Sequence, residues 1–221
     1  MVARRQDRLR DLAARITAGG GTALALPADV ADPGQARDTI ESAAAAFGHD
    51  RIDVLVNNAG VMLLSPAATA TMADWHRMID LNLTAAFACA HAALPYLLRA
   101  AADGPRQVAD LVNISSVAGR TVRPASNVYA ATKHGLGAFS ESLRQEFTRR
   151  HLRVSLVEPG AVATELRDHL RPEMREAQEK RFEGRQRLEA GDIADAIAYI
   201  LTRPRHMAVN ELLVRPTDQA D

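Results

Sequence analysis

Short apolar runs at residues 22–26, 53–56, 108–114, 154–157 and 211–214 are each separated from the next by a stretch that holds helical patterning. Runs so short and so apolar suit strands buried on both faces, and intervening helices of ten or more residues are the crossovers that parallel strands require. The alternation therefore predicts an α/β domain with a parallel sheet covered on both sides. Residues 7–18 put Leu9, Leu12, Ala13 and Ile16 on one helical face and stop at Gly19-Gly20-Gly21. Asp32 caps the next helix, with Pro33 in its first turn, and that helix runs to about Phe47. A long helical region covers about residues 72–101 in two pieces meeting near Asn82; another helix runs from Ser126 to about Arg150. Residues 165–190 are charged and irregularly patterned and predict one or two short helices over the site, after which Asp192 caps a helix to about Thr202.

In a sheet of this kind the ligand sits beyond the carboxyl ends of the strands. Three clusters fall there: Asn57-Asn58-Ala59-Gly60, Ser115-Ser116 and Glu158-Pro159-Gly160. With 221 residues and no low-complexity linker, the chain reads as one domain, residues 1–221. Its formal net charge is zero and no basic stripe marks a nucleic-acid footprint. The single cysteine, Cys89, excludes an internal disulfide framework, and the scattered histidines give no metal-binding pair. No charge-free apolar stretch reaches eighteen residues and the N-terminus lacks a signal-peptide core, so a cytoplasmic protein without a membrane span is expected.

The chemistry concentrates in Asn113-Ile114-Ser115-Ser116 and Tyr129-Ala130-Ala131-Thr132-Lys133. On a helix, Lys133 sits one turn from Tyr129 on the same face. A nearby cation favours phenolate and draws the phenol towards the working range, while Ser116 can direct a hydrogen bond at the oxygen whose proton Tyr129 handles. Such a group oxidises an alcohol or reduces a carbonyl when a hydride carrier lies alongside. Among the chain's 27 Lys and Arg residues, Lys133 and Lys180 are the two lysines, so generic positive charge is carried by Arg. Ammonium and guanidinium are not interchangeable in a site. A surface lysine on an amphipathic helix is the plainer reading of Tyr-x-x-x-Lys taken alone.

Taken together, Asp29-Val30, Asn57-Asn58-Ala59-Gly60, Asn82, Asn113-Ile114-Ser115-Ser116, Tyr129-x-x-x-Lys133 and Pro159-Gly160-x-Val162-x-Thr164 resemble the short-chain dehydrogenase/reductase family in order and spacing. The resemblance runs from about Ala3 to the C-terminus and implies a Rossmann-like doubly wound sheet. It implies Tyr129 as general acid/base and Ser116 positioning the substrate oxygen. Lys133 would lower the Tyr129 pKa and hold the nicotinamide ribose, and Asn82 would hold a water extending a proton relay. Asp29 and Val30 would contact adenine, Asn58 and Ala59 the adjoining ribose, and Pro159, Val162 and Thr164 the nicotinamide; Asn57 would fix strands. The residues after the second strand, Ala3-Arg4-Arg5, contain no acid for a 2′-hydroxyl but two arginines for a 2′-phosphate, so the resemblance favours NADP(H) over NAD(H). Two solvated charges ahead of a helix are the competing reading. A homodimer or homotetramer through helices 83–100 and 126–150 is implied in the same way.

One departure carries its own expectation. The family's Thr-Gly-x-x-x-Gly-x-Gly turn belongs roughly two dozen residues before Arg4 and is not in this sequence; Gly19-Gly20-Gly21 follows a helix and precedes a strand, the reverse of a phosphate loop. The sequence is thus expected to read as N-terminally truncated, without the first strand, first helix and most of the second strand. The 22–26 strand would then stand apart from the 53–56 strand, and NADPH would bind weakly or not at all to these 221 residues. Substrate choice is expected in residues 120–127 and 161–190, where Arg120, Arg123, Arg167 and His169 could face the pocket or form a solvated lid. The C-terminal residues 209–217 resemble a subgroup acting on small alcohol/carbonyl pairs. A catalytically impaired relative serving as partner subunit or scaffold is the alternative, and a Ser–His–Asp hydrolase is weaker because no Gly-x-Ser-x-Gly elbow is present.

Overall fold

The computed structural model describes residues 1–48 and 50–220. Parallel strands β1 (Val2–Ala3) and β2 (Leu26–Pro27) form one ladder, and β3 (Val54–Asn57), β4 (Ala109–Ile114), β5 (Leu152–Pro159) and β6 (Glu211–Val214) form another in that order, also parallel. The helices are α1 (Gln6–Ala18), α2 (Pro33–Ala46), α3 (Met72–Ile79), α4 (Ala85–Asp103), α5 (Asn127–Phe147), α6 (Pro172–Arg181) and α7 (Ala190–Leu201). The α/β class and the crossover pattern are as the sequence indicates.

Side-chain alternation on β4 and β5 defines two cores. Leu111 and Val154 point into a cluster with Ala90, Ala93 and Leu97 of α4 and Ile40 of α2, while Val112 and Val157 meet Ile193 and Ile200 of α7 on the opposite face. The helix from Met72 to Asp103 is long and apolar enough to cross a membrane by length and composition. Its small residues Ala86, Cys89, Ala90, Ala93, Ala100 and Ala101 are buried against the sheet and α2, which accounts for part of that apolarity as core packing.

The split into two ladders matches the expected separation of the 22–26 and 53–56 strands. Among the described residues no strand pairs with the outer edge of β3. Val56 is 37% exposed there, whereas Ala109 to Asn113 of the neighbouring β4 are buried. Three element boundaries differ from the sequence reading. Only Leu26 of the 22–26 run is ladder-paired, because β1 offers β2 just two partner positions. β5 does not stop before Glu158: it starts at Leu152 and continues through Glu158 and Pro159, which pair with Leu213 and Val214. Asp192 is not the N-cap of α7; Glu189 is, and the two form a reciprocal capping box. The Asp32 cap of α2 is as read, its carboxylate accepting from Gly34 N at 2.8 Å and Gln35 N at 3.1 Å.

Candidate active site

The long helix does not simply break at Asn82. It widens into a π-helical turn, Asp80–Thr84, between α3 and α4, and single π-turns of this kind turn a side chain out of the regular ladder. Asn82 is 1% exposed. Its Oδ1 accepts from Val61 N at 2.7 Å, and its Nδ2 donates to Val61 O at 2.9 Å and to Thr132 Oγ1 at 3.3 Å. One amide thus satisfies both backbone groups of Val61, just after the Asn57–Gly60 turn, and reaches α5. Asn57 does what its strand-end position suggests: its Nδ2 donates to Asn113 Oδ1 at 2.9 Å, joining β3 to β4.

β4 delivers Ser115 and Ser116 into a short 3-10 turn, Val117–Gly119. Ser116 Oγ accepts from Ala118 N at 3.1 Å and stands near enough to the Tyr129 phenol to favour its phenolate. Ser115, which sequence reasoning passed over, donates to Lys133 O at 3.2 Å and so fixes the turn against α5. That close approach requires glycine at 119, where a Cβ would fall 2.6 Å from Ser115 Oγ. On α5, Lys133 Nζ donates to Ile114 O at 2.8 Å and lies 5.9 Å from the centroid of the Tyr129 ring. A Cβ placed on Gly60 would be 3.3 Å from Asn82 Oδ1 and 3.8 Å from Lys133 Nζ, so the turn after β3 meets both groups at one point. The structure therefore brings Asn82, Ser116, Tyr129 and Lys133 together.

Burial sets the electrostatics. Tyr129 and Lys133 are each 6% exposed. Desolvation pushes the Tyr129 phenol above its ordinary value, and the Ser116 hydroxyl opposes this only in part. Desolvation lowers Lys133 from an ordinary 10.5 to about 8. The expected lowering of Tyr129 by the lysine is not what the geometry gives. The ammonium is bonded to a main-chain carbonyl instead of the phenol, and apolar neighbours Val61, Leu64, Met78 and Leu170 surround the ring.

A cavity of about 250 Å3 lies to one side, lined by Arg4 and Asp29 of the β1–β2 unit and by Ala73, His76, Arg77, Asp80 and Leu81 of the helix leading to Asn82. Arg4 stands 3.9 Å from Asp29, and Val30 is half-buried next to it. Arg5 points elsewhere: it is 2.8 Å from Glu165, which Arg8 also engages. The structure thus separates two arginines that the sequence treats as a pair. Asn58 and Ala59 are exposed on the turn after β3. Pro159 ends β5, Val162 bridges Leu188, and Thr164 caps the 3-10 turn Glu165–His169. His76 and Arg77 were not anticipated; their signal in the sequence is only that they stand one turn and a half before Asn82. Gln219 was equally invisible, yet its Oε1 accepts from Ala161 N at 2.8 Å and so supports the Pro159–Gly160 turn from the far end of the chain.

Among the residues expected at the substrate pocket, Arg120 is drawn off. Its Nε donates to buried Glu158 at 2.6 Å and it also engages Glu211, tying the 3-10 turn to β5 and β6. This arginine is instead engaged by the one carboxylate that β5 buries. His169 is exposed at the end of its 3-10 turn, and the backbone of Arg123 is held by Ser126 Oγ.

The sequence profile of the family described as short chain dehydrogenase matches residues 1–175. The chain belongs to that family. An uncharacterized oxidoreductase of Staphylococcus saprophyticus is 35% identical over 221 residues, covering 99% of this chain and 85% of that protein. A serine dehydrogenase solved in its closed form with NADP+ superposes with a TM-score of 0.86 at 31% identity, covering 100% of this chain and 85% of that one. A metagenomic short-chain oxidoreductase in complex with NADP gives a TM-score of 0.78 at 30% identity, with 99% and 85% covered. The protein is an oxidoreductase of the short-chain dehydrogenase/reductase family, with solved relatives that bind a nicotinamide dinucleotide.

Proposed function

We propose that this enzyme uses NADP(H) to interconvert a small alcohol and its aldehyde or ketone, with Tyr129 as general acid/base. The observation that carries the reading is the convergence of a buried phenol, a hydroxyl beside it and a buried ammonium on the same side of the Asn82-supported turn. Tyr129 would give its proton to the oxygen of a carbonyl being reduced, or take it from an alcohol being oxidised. Ser116 would hold that oxygen, since its Oγ accepts from Ala118 N and stands beside the phenol. Lys133 uses one of its three N–H donors on Ile114 O and keeps two for ribose hydroxyls. Both hydrogens of the Asn82 amide are committed to Val61 O and Thr132, so a relay water would sit on the remaining lone pair of its Oδ1.

The residues present fit the dinucleotide. The cavity beside Arg4 and Asp29 suits an adenosine end carrying a phosphate, and Asp29 with Val30 would take the adenine. Asn58 and Ala59 would reach the adjoining ribose, and Pro159, Val162 and Thr164 the nicotinamide. When bound, the nicotinamide supplies the hydride acceptor or donor. Arg4 is the better placed of the two arginines for a 2′-phosphate, with Arg5 able to contribute on leaving Glu165. Relatives solved with NADP favour the same choice. We place the protein in the cytoplasm as a homodimer or homotetramer, with α4 and α5, whose Phe87 and Phe139 rings lie 4.3 Å apart, supplying the contact faces. Tyr129→Phe is expected to lower NADPH-dependent carbonyl reduction by at least about a hundredfold, the low end of what a positioned acid contributes. Turnover that survives this change would remove Tyr129 from the mechanism.

A further inference from the structure

The segment that roofs Tyr129 carries more cation than it pairs. Its Glu165 is held by Arg5 and Arg8, its Asp168 faces Arg175 at 3.5 Å, and its Glu176 is bridged by Lys180 at 2.8 Å. Arg171 in turn reaches Asp74 at 3.1 Å. Arg167 and Arg187 make no salt bridge among the described residues. Arg167 Nε is buried and has no hydrogen-bond partner among them. The Arg187 guanidinium lies 5.4 Å from the centroid of Phe182, where a ring face stabilises a cation without satisfying its N–H donors. The two are also near enough for Arg167 to oppose the charge on Arg187, after burial the next cause that lowers its pKa, with Glu179 offsetting part of this. Like charges brought together with a buried donor left over are unfavourable unless an anion completes them.

Their placement says which anion can reach them. Arg167 lies in the 3-10 turn between Thr164 and Leu170, and Leu170 packs in the apolar cluster around Tyr129. Arg187 precedes Leu188, whose backbone is stitched to the loop after β5 by Ala163 N→Leu188 O at 2.8 Å and Leu188 N→Ala161 O at 3.0 Å. Both arginines are therefore anchored within a few residues of the loop that carries Val162 and Thr164.

We propose that Arg167 and Arg187 form a subsite for an oxyanion carried by the bound reactants. A carboxylate on the alcohol or carbonyl substrate and a diphosphate oxygen of the dinucleotide share this chemistry. The assignment to a reactant rests on the reading of Tyr129, but the subsite is testable without turnover. The test is calorimetric titration of the full chain with two matched pairs: 3-hydroxybutanoate against 3-hydroxybutanamide, and ADP against adenosine. The expected result is at least about a tenfold preference for the charged member of one pair, as charge-assisted bonds to Arg give. That preference should vanish in the Arg167→Gln/Arg187→Gln variant and persist in part in Arg167→Lys/Arg187→Lys. A preference within the first pair assigns the subsite to a hydroxy-acid substrate; a preference within the second assigns it to the dinucleotide. Equal binding of charged and neutral members by the wild type, or a preference that survives the Gln substitutions, would overturn the subsite. A preserved preference in a protein that reduces no carbonyl would instead overturn the proposed reaction and leave the subsite standing.

Discussion

A lysine that keeps its charge while 6% exposed makes the site sensitive to pH at the level of one residue. Its folded pKa of about 8 lies below the ordinary 10.5, so between those values the unfolded chain binds more protons than the folded one. Stability then rises with pH across that window, and below pH 8 the full cost of burying the ammonium is present. That cost is about 3 kcal/mol at 1.36 kcal/mol per pH unit, before the Ile114 hydrogen bond offsets part of it. Replacing Lys133 by Met should therefore stabilise the protein most at pH 7, and urea titrations should show its advantage shrinking by about 1 kcal/mol per pH unit from 8 to 9.5. An advantage independent of pH would mean that Lys133 keeps its ordinary pKa in the folded protein. Tyr129 does not confuse the comparison, because both proteins carry it and its folded titration is displaced upwards. The identities at this site could be picked from the sequence because Tyr-x-x-x-Lys and Ser-Ser have fixed spacing. The balance between burial and charge could not, because it depends on Leu64, Met78 and Leu170 arriving from three separate segments.

At the scale of elements, β5 shows why the sequence under-reads a strand. Apolar residues 154–157 are flanked by Arg153 and Glu158, which read as charged ends. Both are buried strand residues. Arg153 meets its cross-strand neighbour Asp110 with Nε at 2.7 Å from Oδ1, and donates onward to Met207 O at 2.8 Å; Glu158 is matched by Arg120. Arg153 is inside with its partner, Glu158 is covered by an arginine that keeps contact with solvent, and partners so distant in sequence leave no local signal. Asp110 also holds Arg106 at 2.8 Å, so Arg153→Ala thins a buried network without stranding the carboxylate and should lose about 2–3 kcal/mol, the worth of charge-assisted bonds, read as a lower urea midpoint. Loss within 1 kcal/mol would mean that Asp110 finds water. The crossover helices, by contrast, were readable almost to their ends, since Asp32 and the Gly19–Gly21 stop act within a few residues of themselves. The π-turn at Asn82 was visible only as a meeting point of two helices, because its cause is the backbone of Val61, 21 residues away.

For the whole molecule, the two ladders are unequal. β1 and β2 share two residue pairs, whereas β4 and β5 share six. Amides of Leu26 and Ala28 should therefore exchange with solvent at a much lower opening free energy than those of Leu111 and Val154, which native-state hydrogen exchange can resolve. Uniform protection across both ladders would show them to open as one unit. This unit carries Arg4 and Asp29, one wall of the cavity, while α3 and the π-turn carry the other. Joining it to the loop after β5 are Arg5 and Arg8 on Glu165, side chains that are 57%, 57% and 52% exposed. Attractions between such exposed groups are screened over about 8 Å in physiological salt. The β1–β2 unit is thus tied to the loop after β5 in part by ion pairs. How firmly the wall that carries Arg4 and Asp29 is held becomes a function of ionic strength.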